Sequence, residues 1–331
     1  MEGRGIVRVR RGELVESEHA FAWCVADGSA SADGSAVFPR SAAKPFQALA
    51  AMRAGVPERF GLGPVHVAVA CASHGGGDEH VARVREILAA AGRNESDLAC
   101  GPGEPRDPAA ADAFRDGGGR PAPVRHNCSG KHAFGIALAV ASGWPVAGYL
   151  ERDHPLQQAM RAGVAEATGL EAAAIPEATD GCGMRTFSVP LGRLAGGFGR
   201  LAGGRLGEAG ERLAAAMCAH PTLVAYAGAI DTELMRAEPG AVSKIGAEGV
   251  LGIGLPDGRG AAIKVLDGAI RALEPAAVLV AREGLGLAAA GAALDAFADA
   301  PVLNSHGDRV GRAEAALLKV GLARGRRTGA S

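Results

Sequence analysis

The sequence predicts an α+β fold in which one antiparallel sheet is assembled from both ends of the chain and a helical middle packs on it. Three observations carry that expectation. Short strand-like runs crowd the first 26 residues, and a hairpin pattern returns near residue 255. The residues between them carry helical periodicity instead. No shift in composition marks a linker, so residues 1–331 are expected to form one unit, with the helical middle inserted between the terminal strands.

In chain order, residues 6–9, 13–16 and 20–26 read as strands separated by glycine or charge clusters. Residues 28–34 read as a turn of small side chains. Over residues 41–52, Phe46, Leu49 and Met52 recur every three positions, which suits a helix, and Pro45 falls in its first turn, where a missing N–H costs little. Val65, Val67 and Val69 alternate and Cys71 follows, so this segment reads as a buried strand ending at Ser73-His74-Gly75-Gly76-Gly77. From His80, the positions Val81, Val84, Leu88 and Ala91 share a helical face, and Gly92 supplies the stop. Residues 101–123, rich in Gly, Pro, Asp and Arg, read as a loop. Residues 129–141 and 155–168 read as helices, the second closed by Gly169. Near the end, residues 250–255 and 261–266 flank Pro256-Asp257-Gly258-Arg259-Gly260, a hairpin signal.

Composition excludes several functions. Hydrophobic residues make up 48% of the chain, enough for a core, while a formal net charge of −1 argues against nucleic-acid or membrane-surface partners. Aromatics at 4% leave no base-stacking platform. The N-terminus is charged and has no apolar leader, and no run reaches the ~18 apolar residues of a spanning helix. A cytoplasmic location is therefore expected. There Cys24, Cys71, Cys100, Cys128, Cys182 and Cys218 would be reduced, as core filler or metal ligands.

Several segments could carry chemistry. Ser41-Ala42-Ala43-Lys44 places a hydroxyl and an amine three residues apart, on one helical face. A lysine kept neutral by burial can take a serine proton. The same spacing suits a capping serine beside a solvated lysine, but Pro45 and Phe46 hem Lys44 with apolar groups. Ser73-His74 precedes three glycines whose N–H groups would suit an oxyanion, or which simply make a turn. Asn127-Cys128-Ser129-Gly130-Lys131-His132 and Asp180-Gly181-Cys182-Gly183 each set a thiol beside Asp, His or Lys. They are either two inert buried thiols or the halves of a zinc-type site. Gly130-Lys131 lacks the upstream glycine of a phosphate loop. Ser243-Lys244-Ile245-Gly246 suits a pocket wall. Asp231 and Thr232 suit either a substrate ammonium or amide, or solvent.

Taken together, Arg40-Ser41-Ala42-Ala43-Lys44-Pro45, Cys71-Ala72-Ser73-His74, Asn127 to His132, Asp153-His154-Pro155, Thr179 to Cys182, His220-Pro221 and Lys244-Ile245-Gly246-Ala247 resemble, in this order, the Rhizobium etli-type inducible L-asparaginase family. Its fold is similar to serine β-lactamases and penicillin-binding proteins. The resemblance implies two Ser-Lys tandems, Ser41 with Lys44 and Ser73 with Lys244, Ser41 being the nucleophile toward L-asparagine. It implies Zn²⁺ on Cys128, Lys131 and Cys182, aiding substrate binding, with Asp180 and His132 close by. Arg40, His74, Asn127 and Asp180 are the expected substrate-binding residues, and a homodimer is the expected assembly. The sequence departs from the family's pattern at Ala229, where arginine is usual, and at Gly75-Gly76-Gly77. Both departures bear on substrate preference. Three rival readings stand beside it: a β-lactamase-like serine hydrolase, an amidase for glutamine or another amide, and a non-catalytic zinc-binding protein.

Overall fold

The computed structural model describes residues 1–27, 34–287 and 291–318. The small-residue turn expected at 28–34 lies, apart from Gly34, outside the described residues.

Seven strands form one antiparallel sheet, in the order Asp299–Leu303, Arg309–Leu318, Glu2–Arg11, Leu14–Ala26, Gly260–Val265, Val250–Gly254 and Val242–Gly246. Both termini therefore enter one sheet, as expected, and residues 13–16 and 20–26 belong to a single strand rather than two. Successive side chains of Leu14–Ala26 point to opposite faces. Phe21 and Trp23 enter an apolar cluster with Leu251, Ile263 and Leu273, the last on the helix Ile270–Leu279. Ala22 and Cys24 enter a second cluster with Ala262 and with Phe198 of the helix Leu191–Ala202. Helices thus cover the sheet on both faces.

The second cluster extends into the helical middle of the chain. At its centre is Ser129–Ala141, buried from Ser129 through Ala139, as a helix apolar on every side must be. Lys44–Arg53, Pro64–Ala70, Asp78–Ala90 and Pro155–Thr168 pack around it. His154 caps the last of these, its side chain accepting from the Leu156 N–H at 3.1 Å, so the Asp153-His154-Pro155 segment starts a helix. Among the described residues no helix is long and apolar enough to cross a membrane.

Three local expectations need correction. Residues 64–70 are a helix, not a strand. A short, wholly buried apolar run does not distinguish the two by periodicity. Gly63 followed by Pro64 at the first helical position was the informative signal, reinforced by His66 Nδ1, which accepts from the Gly63 N–H at 3.0 Å. Residues 101–123 hold the helix Pro108–Asp116, opened by Asp107, whose carboxylate accepts from the Ala109 N–H at 3.1 Å. The helix expected from Ser41 begins at Lys44, preceded by a 3₁₀ turn over Arg40–Ala43.

That 3₁₀ turn packs on the edge strand Val242–Gly246. A Cβ at Gly246 would lie 2.1 Å from the Pro39 carbonyl oxygen, so only glycine permits the approach. Gly246→Ala is expected to cost about 1–3 kcal/mol through overpacking. An unchanged midpoint in urea denaturation would contradict this contact.

Candidate active site

Beside that edge strand opens a cleft of about 600 Å³. Four separate stretches of chain supply its floor. Arg40 and Ser41 come from the 3₁₀ turn, and Ser73 follows the helix Pro64–Ala70. Asn127 and Cys128 precede Ser129–Ala141. Asp180 and Cys182 sit in the turn between the short strands Glu177–Thr179 and Arg185–Phe187. Asp231 and Ile245 close the far side. Backbone bonds tie the stretches together: the Ser73 N–H donates to Val224 O at 3.0 Å and the His74 N–H to Asn127 O at 3.2 Å. Arg40 holds φ at +52°, an uncommon value for a residue with a side chain.

Lys44 lies fully buried beneath the cleft. Its Nζ donates to Ser73 Oγ at 3.2 Å, to Asn127 O at 3.3 Å and to Ala72 O. None of these acceptors is charged. Burial pushes the Lys44 amine down from 10.5 to about 8, and the nearby Lys131 and Lys244 push the same way against Cys128 and Cys182. Among the described residues no hydrogen bond joins Lys44 to Ser41, because the 3₁₀ turn ends where the lysine begins. Ser41 instead opens half-buried into the cleft.

Lys244, expected beside Ser73, is also fully buried, but its Nζ pairs with Asp231 Oδ2 at 3.0 Å, both side chains having no exposed surface. The same carboxylate oxygen accepts from the Ile245 N–H at 3.2 Å, while Oδ1 has no partner among the described residues. The polar point at Asp231 is thus a counter-ion, and Thr232 is occupied too, its Oγ1 donating to Pro221 O at 3.1 Å.

Cys128 and Cys182, distant in sequence, meet. Their hydrogen bond is the main cause that lowers the Cys182 thiol to about 5. Burial opposes it, and Lys131 assists. Lys131 Nζ donates to Cys182 Sγ at 3.3 Å. Burial disfavours the Lys131 charge, but the two cysteines and Asp180 outweigh it and raise the amine above its ordinary value. Burial likewise works against the Asp180 carboxylate, yet Lys131 and Arg40, the latter at 2.6 Å, keep it below the usual range. Among the described residues no group of three or more His, Cys, Asp or Glu side chains is placed to hold a metal, so any ion here would need the lysine amine as its third donor.

Not every expected residue faces the cleft. His74 is buried behind its wall: Nδ1 accepts from the Gly76 N–H at 3.1 Å, which leaves the proton on Nε2 to donate to Ser129 Oγ at 2.8 Å. Burial holds His74 well below its usual range, so it is neutral. His132, buried beside Lys131, pairs Nδ1 with the Tyr149 hydroxyl at 2.6 Å and leaves Nε2 without a partner. Cys24 and Cys100 are buried thiols, and Cys218 is half-buried. The cleft also takes in Arg106, Tyr226 and Glu274, which sequence reasoning did not single out, together with Ala229. Arg106 stands in a stretch read as loop, and Glu274 in a helix with no motif around it, so neither carried a local signal.

The family model described as L-asparaginase II matches residues 7–315 of the 331. No curated protein matches the chain.

The buried ion pair makes a direct test of this arrangement. Asp231→Asn is expected to cost about 3–5 kcal/mol, because it leaves the Lys244 ammonium buried and uncompensated. Adding Lys244→Met should recover most of that loss. Equal urea midpoints for the parent and Asp231→Asn would argue against the pairing.

Proposed function

Because the chain belongs to the L-asparaginase II family, we propose that it hydrolyses the side-chain amide of L-asparagine to L-aspartate and ammonia through a serine ester. The observation that carries this reading is the buried Lys44 amine, near neutrality, hydrogen-bonded to a serine on the cleft. Splitting amide hydrolysis into acylation and deacylation lowers each barrier below that of direct attack by water.

In the scheme, neutral Lys44 takes the serine hydroxyl proton as Oγ attacks the carboxamide carbon. The tetrahedral intermediate collapses, the C–N bond breaks, and ammonia leaves carrying the proton that Lys44 returns. Water then hydrolyses the ester by the same route in reverse. Ser41 is our nucleophile, since it opens into the cleft and its hydroxyl makes no hydrogen bond among the described residues. The 3.2 Å contact from Lys44 favours a second reading, in which Ser73 attacks and Ser41 orients the substrate. Lys244, locked to Asp231, would contribute fixed positive charge.

Zinc fits the donor set of Cys128, Lys131 and Cys182, a thiol already favoured as thiolate beside a second thiol and an amine. Those three residues would hold it, and the ion would supply positive charge that draws and orients a polar substrate. Lys131 would have to give up its proton to bind, which a cation in that position favours.

Four measurements test the proposal. Ammonia release from L-asparagine is expected to exceed that from glutamine and from a β-lactam. Ser41→Ala should abolish turnover with the melting temperature unchanged, and mass spectrometry of the quenched enzyme should find the aspartyl adduct on the Ser41 peptide. An adduct on the Ser73 peptide would exchange the two roles. For wild type, kcat/KM should climb with pH and level off above about 8, because only the neutral Lys44 amine can act as base. Lys44→Ala should lose roughly 10²–10⁴-fold and flatten that rise. Elemental analysis of protein purified without chelator should find zinc near one per chain, lost in Cys182→Ala together with substrate affinity. Full activity in zinc-free wild type would remove the ion from the scheme.

A further inference from the structure

Most charges on the cleft wall are already matched. Arg40 pairs with Asp180 at 2.6 Å and Asp231 with Lys244 at 3.0 Å. The Glu248 carboxylate is exposed and makes no hydrogen bond or ion pair among the described residues, acting only at a distance on the Lys264 ammonium. His126 Nδ1 accepts from the Cys128 N–H at 3.0 Å. Arg106 and Glu274 remain. Among the described residues neither side chain makes a hydrogen bond or an ion pair, with each other or with anything else, though both line the cleft and both act on the Tyr226 hydroxyl.

Their placement is built into the fold. The Arg106 N–H donates to Gly75 O at 2.7 Å, and the Asp107 N–H to the same oxygen at 3.1 Å. A Cβ at Gly75 would stand 2.8 Å from Asp107 Cβ and 3.0 Å from Tyr226 Cβ, so the missing side chain is what brings the Arg106 loop against Tyr226. Glu274 stands on the helix Ile270–Leu279. Burial raises its carboxyl, with no cation to oppose the effect. A guanidinium and a carboxylate that line one cleft without pairing to each other complement a zwitterion. Arginine receives a carboxylate through paired N–H groups, and a partly desolvated carboxylate gains most from an arriving cation.

We propose that Arg106 and Glu274 are the specificity-determining clamp of this cleft, Arg106 receiving the α-carboxylate and Glu274 the α-ammonium of an amino-acid amide. The clamp rests on the amidohydrolase reading and deepens it: the cleft selects amides that carry the amino-acid head group over simple amides.

The experiment pairs each residue with the group it reads. Wild type, Glu274→Gln and Arg106→Ala are assayed for ammonia release from L-asparagine, from succinamate, which lacks the ammonium, and from 3-aminopropanamide, which lacks the carboxylate. Glu274→Gln should lose at least tenfold more kcat/KM on L-asparagine than on succinamate. Arg106→Ala should lose at least tenfold more on L-asparagine than on 3-aminopropanamide. The loss should lie in KM rather than kcat, and thermal melts should match the parent. Equal losses on all three amides, or no loss, would overturn the clamp. Calorimetric titration with L-asparagine and L-aspartate separates the two readings. A wild type that binds them but releases no ammonia sinks the hydrolase reading, and the clamp then stands on tenfold weaker binding by each variant and falls if binding is unchanged. A wild type that binds neither compound overturns the clamp outright.

Discussion

A lysine amine buried with only neutral oxygens around it is the constraint on which the site depends. Lys44 Nζ reaches Ala72 O, Ser73 Oγ and Asn127 O, and no carboxylate stands beside it. A fall from 10.5 to about 8 corresponds to roughly 3 kcal/mol against the charged form. The fold bears that cost by bringing two chain segments to one point. Residues 72–73 leave the helix Pro64–Ala70, and residue 127 leads into Ser129–Ala141. The bond from the His74 N–H to Asn127 O ties them beneath the cleft. Release either segment and the amine is left among unpaired acceptors or in water, where it would stay charged.

Three buried lysines show how one side chain acquires three electrostatic characters. Lys44 faces neutral acceptors and is driven toward the free amine. Lys244 faces Asp231 in a pair with no exposed surface, which fixes its charge in place. Lys131 faces two thiols and Asp180, which outweigh burial and favour its ammonium. The partner, not the depth, decides the outcome, since all three are buried. The expected tandem of Ser73 with Lys244 therefore meets a competitor: a carboxylate binds an ammonium more strongly than a hydroxyl does, and Asp231 takes the position.

Much of the architecture was legible because it rests on local rules. The N-terminal strands and the hairpin at residue 255 declared themselves by short strand-like runs and by turn residues, whereas Asp299–Leu303 and Arg309–Leu318 were not read from the sequence. The helices Ser129–Ala141 and Pro155–Thr168 were both expected, the second closed by Gly169. The segment 64–70 misled because burial on all sides erases the period that separates strand from helix. At the site, the meeting of Cys128 with Cys182 and the gathering of Ser41, Ser73 and Asn127 in one cleft followed from the ordered set of motifs. Which lysine touches which serine did not follow, because it turns on a 3₁₀ turn at Arg40–Ala43 and on a counter-ion thirteen residues from Lys244. Arg106 and Glu274 were invisible for a plainer reason: a residue that waits for a ligand has no partner in the chain to betray it.

One global signal did point at the interior. Of the 35 basic residues only five are lysines, Lys44, Lys131, Lys244, Lys264 and Lys319, and the rest are arginines. Arginine serves wherever a permanent cation is wanted, and it forms the surface pairs of this chain, such as Arg8 with Glu18 and Arg85 with Glu95. A guanidinium does not deprotonate in proteins and is too broad for a sealed amine pocket, whereas an ammonium can lose its proton or ligate a metal. In a composition that otherwise prefers arginine, Lys44 stands where the surroundings favour a side chain that can lose its proton. Three of the five lie buried within or beneath the cleft, where the chemistry calls for an amine whose charge is set by its surroundings.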